Sequence, residues 1–476
     1  MRLALRPLPV LVGAVLAVLV SGFLHQLVHP FLEHDDWDFL LPVEQPRTTQ
    51  MHDRLLAEGR WFNYVWWRVI GNLFSPTAAV VVFMLAVLVI AGVVGWRWAP
   101  GWLAAPVVLA LTLSPMTVDL SFWPATLLPS MVLVAIAAAV LPWCVDDPRR
   151  LTAWTVLSTV LVFLAYPPTT LVLLVLVAAE LIDRPLRELV VGVVTYGASY
   201  VAGTVVVFTL NAISFGHFGI VARPWRNPNP VHGPGDLFEN IGRALDQLGG
   251  LFTSSRMPLI LGLLALATCI ALPALRERGL KMAALVVIGL GVQSSATVLT
   301  GVTTPYRSMG WIWFVVVLLL IWLFEEVRPR RSVETSERRP VERWIPLAAL
   351  LALLAVGGWG ARYWQNAIDH DQRRRVVLQR VLDQLEETVA ANPGLRVVVV
   401  GTPSDWANPA FTQQAQYLSM KAFQDAGIRS SNCRPPVCAV STRAGVLARA
   451  DHGARAFVSF RFVVFVPPAH KDALAH

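Results

Sequence analysis

The segment Glu33-His34-Asp35-Asp36-Trp37-Asp38 places four carboxylates and a histidine within six residues, directly after a hydrophobic run that can cross a bilayer. Carboxylates held at a membrane surface are costly unless they have a task. Beside apolar helices and a second carboxylate, an aspartate becomes harder to ionise, which suits it to take a proton from a hydroxyl group. Asp35 and Asp36 are therefore the candidate general bases. In an extended segment they point in different directions. One then acts as base while the other positions an acceptor or caps a helix. The alternative is a solvated acidic turn that ends the first helix.

Arg60, Arg68, Arg223, Arg226 and Arg307 stand in segments expected on the outer side of the membrane. A guanidinium stays charged and grips phosphate through two parallel hydrogen bonds. Arg307 follows Tyr306 in a short polar turn, Thr303–Met309, between two apolar runs, and with Arg60 it is the leading candidate for binding an anionic lipid head group. For any single arginine the alternative is contact with ordinary lipid phosphate. Asp119 is a lone carboxylate in an otherwise apolar hairpin; it either faces the same cavity or caps a helix. Arg226, Tyr306 and Asp119 complete the candidate substrate-binding set. His34 adjoins the aspartate pair, but three contiguous residues rarely make a metal site, so no metal or other cofactor is expected. His217 and His232 have no visible partner in the sequence. Cys433 and Cys438 lie close together in the polar C-terminal region, and if that region is extracytoplasmic they are candidates for a small disulfide loop. Cys144 and Cys269 fall at or within apolar runs and read as packing residues.

The elements that must position these groups are almost all apolar. Of 476 residues 55% are hydrophobic and 15% charged, against about 25% charged in soluble domains. The chain reads as a polytopic α-helical membrane protein with about eleven spans and a small extracytoplasmic α/β C-terminal domain. The net charge of +8 comes from arginines gathered in short loops, where they set topology; no basic stripe with stacking aromatics supports nucleic-acid binding. The first span, Leu8–Leu27, lacks a small-x-small cleavage site and is expected to be retained with its N-terminus inside. Further spans are expected at Thr77–Gly95, Trp102–Leu113, Leu127–Trp143, Leu151–Tyr166, Pro168–Ile182, Leu189–Ile213, Pro258–Leu275, Met282–Gly301, Gly310–Phe324 and Ile345–Gly360. The membrane domain then covers residues 1–360, with large outside loops at 28–76 and 214–257. Helical spacing over Thr48–Leu73 and Asp236–Leu248 predicts helices lying on the membrane surface. Residues 361–476 form the second domain, with a charged helix over Asp371–Val389, a strand over Leu395–Val400, a helix over Ala410–Ala426 and a strand or hairpin arm over Ala456–Val466.

Three short segments carry a resemblance. They are Asp35-Asp36-Trp37 followed by Glu58-Gly59-Arg60-Trp61; Ser114-Pro115 to Leu120-Ser121-Phe122 with Leu128-Pro129-Ser130-Met131; and Leu164-Ala165-Tyr166-Pro167-Pro168. Together they resemble the GT-C superfamily of membrane glycosyltransferases, most of all the serotype-converting O-antigen glucosyl transferases. The resemblance covers the first third of the chain and departs from the family at Val118, Pro124 and Ala125, where more polar residues are the pattern. It implies inverting transfer of a hexose, glucose above all, from a polyprenyl-phosphate donor to a cell-surface glycan or glycolipid. The reaction would take place at the outer face of a bacterial inner membrane. Two other classes stay open. A transporter or flippase for a lipid-linked sugar would place polar groups mid-span, as at Gln293-Ser294-Ser295. A non-catalytic polysaccharide-assembly protein would use the outer domain for binding alone. No Walker sequence supports ATP-driven transport.

Overall fold

The computed structural model describes residues 24–28, 46–221, 226–326 and 344–391, Gly13, Leu32, Asp36, Phe39 and Leu40, and five strands near the C-terminus. The chain divides into two compact units, one of Met1–Pro30 with Asp38–Gln365, the other of Phe31–Trp37 with Asn366–His476.

The first unit is helical. A short helix α1 (Leu24–Val28) is followed by α2 (Pro46–Ala57), α3 (Trp61–Ile70), α4 (Pro76–Trp98), α5 (Ala104–Thr112), α6 (Pro115–Leu120) and α7 (Pro124–Val140). Then come α8 (Pro148–Ala165), α9 (Thr170–Leu181), α10 (Leu186–Phe215), α11 (Pro234–Ser254), α12 (Arg256–Ala271), α13 (Arg276–Thr300), α14 (Trp311–Glu326) and the first part of α15 (Ile345–Ala391), whose residues from Asn366 on belong to the second unit. Several starts are written into the sequence as a capping residue followed by proline. Ser75 accepts from the Ala78 amide at 3.1 Å, Ser114 from the Thr117 amide at 3.2 Å and Asp147 from the Arg149 amide at 2.8 Å. In each case the next residue is a proline, whose missing N–H is harmless at the first helical position. Gly301 ends α13 at φ +70, and a Cβ there would run into Asn229, so the turn toward Thr303–Met309 requires glycine.

Among the described residues six helices are long and apolar enough to cross a membrane, or up to seven if α11 and α12, bent by 100° at their junction, count as one. The protein is a multi-pass membrane protein. The count of eleven is not reproduced among these residues. Most of Leu8–Leu27 lies outside the described residues. The run Trp102–Leu113 holds the nine-residue α5 and Pro168–Ile182 the twelve-residue α9. At 1.5 Å per residue these span about 14 and 18 Å against a hydrocarbon core of about 30 Å. Both are almost wholly buried in protein, so their apolar character serves the core rather than lipid. The surface helix expected at Asp236–Leu248 is longer, and becomes α11.

The loops expected inside meet at one end of this unit. Arg97 at the end of α4 makes a two-pronged contact with Glu180 on α9, at 2.7 and 2.9 Å. Arg278 pairs with Asp183, Lys281 donates to the Ile182 and Arg184 carbonyls at 2.9 Å, and Arg184 donates to the Val145 carbonyl at 2.7 Å. The opposite ends of the same helices carry the turns around Phe122, Tyr166 and Tyr306.

In the second unit five strands form one sheet in the order β2-β1-β5-β4-β3, with β1 (Arg396–Val399), β2 (Ser430–Asn432), β3 (Val446–Arg449), β4 (Arg455–Ser459) and β5 (Phe462–Val466). β1 runs parallel to β2 and β5, while β3, β4 and β5 pair antiparallel. The expected helix Ala410–Ala426 lies outside the described residues, and the charged stretch Asp371–Val389 is part of α15.

Candidate functional site

Two groups of polar side chains gather at the end of the first unit that carries Phe122, Tyr166 and Tyr306. The first is built on Glu58, in the turn between α2 and α3. Its carboxylate meets Arg54 at 3.0 Å, Arg60 at 3.2 Å and Arg226 at 3.1 Å, and only 10% of the side chain is exposed. Burial alone would push its pKa up, but the charges of Arg60, Arg54 and Arg226 together hold it below the usual carboxylate value. Gly59, at φ +80, lets the chain turn sharply between Glu58 and Arg60 against Val207. The Arg60 guanidinium lies over the Tyr166 ring, 5.1 Å from its centroid.

The second group joins three segments far apart in sequence. Asp119 on α6 is 7% exposed, and its Oδ1 accepts from the Tyr363 hydroxyl on α15 at 2.5 Å. Tyr306 and Arg307, in the one-turn 3-10 helix Tyr306–Met309, face the same carboxyl. Burial raises the Asp119 pKa above its ordinary value, and the Tyr363 hydrogen bond, the Arg307 charge and the Tyr306 hydroxyl oppose that rise without cancelling it. The Arg307 guanidinium sits over the Trp123 ring, 3.7 Å from its centroid. Beside it Phe122 and Trp364 stack nearly parallel, at 6.1 Å and 9°. Arg307 makes neither an ion pair within 4 Å nor a side-chain hydrogen bond among the described residues, which leaves its N–H donors available.

A narrow, partly open cleft with an enclosed volume of about 40 Å³ runs between α4, α9 and α14. Its walls are apolar, Phe83, Ile90, Met131, Val172, Trp311 and Phe314 among them, and Arg307 and Tyr166 are its polar margin. An apolar slot with a free guanidinium at its margin suits an amphiphile with a hydrocarbon tail and an anionic head.

The candidate residues thus divide. Arg307, Tyr306 and Asp119 come together, and Arg60 joins Arg226 around Glu58. Asp36 is fully buried and belongs to the second unit. Asp35, Arg223, His34, Cys433 and Cys438 lie outside the described residues. Arg68, His217 and His232 are exposed. No cluster of three metal-ligating side chains occurs among the described residues. Sequence reasoning missed Tyr363, which is 244 positions from Asp119 and has no local signal. It also left unassigned the carboxylate role of Glu58, whose cue was its place between two arginines, Arg54 and Arg60.

The sequence matches no protein-family model and no curated protein. Two solved structures are similar in shape, both of ArnT from Cupriavidus metallidurans. The one bound to undecaprenyl phosphate has a TM-score of 0.44 at 14% identity over 90% of each chain. The apo form has a TM-score of 0.42 at 13% identity over 92% of this chain and 95% of that one. A likeness of this degree carries neither the fold class nor the activity of the present protein.

Proposed function

We propose that this protein is a GT-C-type glycosyltransferase of the bacterial inner membrane, moving a hexose from a polyprenyl-phosphate donor to a cell-surface glycan or glycolipid on the outer face. The observation that carries the reading is Arg307: a guanidinium with no carboxylate within 4 Å among the described residues, held over Trp123 and lining an apolar cavity. The lipid tail takes the cavity and the phosphate takes Arg307, with Arg60 over the Tyr166 ring that lines the same cavity. In the reaction the acceptor hydroxyl oxygen attacks the anomeric carbon and inverts it. The bond to the donor phosphate oxygen breaks with its electron pair, and the hydroxyl proton passes to a carboxylate. Asp35 or Asp36 is the base in this reading. Asp119, kept from ionising easily by burial, binds substrate hydroxyls with Tyr306. Guanidinium groups offset the charge of the departing phosphate, so the chemistry does not require a metal.

The test is sugar transfer in vesicles, with labelled polyprenyl-phosphate hexoses as donors and a membrane extract of the native host as acceptor pool. Wild type, Asp35→Asn and Asp36→Asn are compared at matched expression. Loss of transfer in one aspartate variant with folding retained identifies the base. Equal transfer in all three removes the pair from catalysis and moves the role to Asp119.

A further inference from the structure

Arg307 sits in the one-turn 3-10 helix Tyr306–Met309, closed by the Ser308 amide donating to the Pro305 carbonyl at 2.9 Å, and side chains from two further helices also hold this turn. On α13, Gln293 is 5% exposed, in the middle of an apolar run. Its Nε2 donates to the Thr304 hydroxyl and to the Ser308 hydroxyl, each at 3.2 Å. On α11, Gln247 donates to the Thr304 carbonyl at 2.5 Å, while its Oε1 accepts from the Thr297 hydroxyl at 3.2 Å. Ser308 Oγ in turn donates to the Pro305 carbonyl at 2.7 Å, closing the turn. Thr304 and Ser308 thus bracket Tyr306-Arg307, and both are tied to glutamines. A buried amide of this kind is costly unless its donors are used. Here the Gln293 donors are spent on the two residues that flank the arginine.

We propose that Gln293 and Gln247 are positioning residues that aim Arg307 into the cavity, so that affinity for an isoprenyl phosphate depends on both amides although neither touches the ligand. The inference rests on the reading that Arg307 takes the lipid phosphate. It gives the mid-span polar residue Gln293 a role in binding a head group rather than in a transport path.

The test uses the full chain in phosphatidylcholine nanodiscs, with farnesyl phosphate as probe and farnesol as its uncharged control. Arg307→Ala weakens farnesyl phosphate binding about thirtyfold, the scale of one charge-assisted contact. Gln293→Met, close in shape and without donors, weakens it about tenfold, and Gln247→Met does the same. Farnesol binding stays within about twofold in all variants. In an Arg307→Ala background neither glutamine substitution produces further loss, because both act through the arginine. If Arg307→Ala leaves farnesyl phosphate binding unchanged, the phosphate reading itself is wrong. If Arg307→Ala weakens binding but both glutamine variants match wild type, the positioning inference alone is overturned. It is also overturned if the glutamine variants lose farnesol equally, or add to the loss of Arg307→Ala.

Discussion

Arg60 lies over Tyr166, and Arg307 lines the same cavity as that tyrosine, yet the two guanidinium groups are held in opposite ways. Around Glu58 three guanidinium groups share a buried carboxylate, so their charge is largely spent inside the protein. Arg307 instead rests on an aromatic face and keeps its N–H donors. A cation–π contact stabilises the position of a guanidinium without occupying its hydrogen-bonding edge. The difference separates a cluster that fixes the fold of the α2–α3 turn from a group poised for a ligand. The first shows itself in stability, the second in binding.

The largest expected effect is therefore on stability, at Glu58. Removing one partner from a buried charge cluster costs about 3–5 kcal/mol, because the remaining charges are left uncompensated. Glu58→Gln leaves three guanidinium groups facing one another and is expected to give a strong loss of thermal stability in detergent. Arg54→Gln leaves Glu58 paired with Arg60 and Arg226 and is expected to cost less than Glu58→Gln. Equal, small losses in the two variants would erase the distinction between the two arginine groups.

The same contrast shows what the sequence conveys. Ser75-Pro76, Ser114-Pro115 and Asp147-Pro148 announce helix starts, since capping and the missing proline N–H are local chemistry. The polar turn carrying Arg307 stands out because its flanks are apolar. The helices α5 and α9 read as membrane spans, because a run buried in protein and one facing lipid have the same composition. The partnership of Asp119 with Tyr363 is invisible for another reason. It depends on how α6 and α15 pack, and no periodicity connects positions 244 residues apart. Nor does an arginine count along the chain reveal which guanidinium is already paired.

The two carboxylates also titrate in opposite directions, which gives a second way to separate the regions. Glu58 is held below its ordinary value of 4.5, so its stabilising contribution is present above that pH and is lost as pH falls through the lower folded value. Asp119 is held above its ordinary value of 3.8. Its contribution is greatest below that pH and is lost as pH rises through the raised folded value. Asp119→Asn keeps an amide oxygen to accept from Tyr363 and carries no charge. Its melting temperature, measured against pH, is expected to gain on wild type as pH rises through the Asp119 value and then run parallel. The Glu58→Gln deficit is expected to behave the other way, shrinking as the solution is made acidic. A common pH trend for both variants would mean that the two sites share one electrostatic environment.

The smallest effect sharpens the picture of Arg307 itself. Trp123→Phe keeps an aromatic face under the guanidinium but weakens its quadrupole, since indole is the best cation–π partner. The contact is worth about 0.5–2 kcal/mol in full, so the partial loss should weaken farnesyl phosphate binding by about threefold or less. Trp123→Leu removes the face altogether and should weaken it further, while leaving farnesol binding near wild type. If Trp123→Leu instead tightens phosphate binding, the indole competes with the ligand for the guanidinium. The aromatic platform would then hold Arg307 back from the cavity rather than present it.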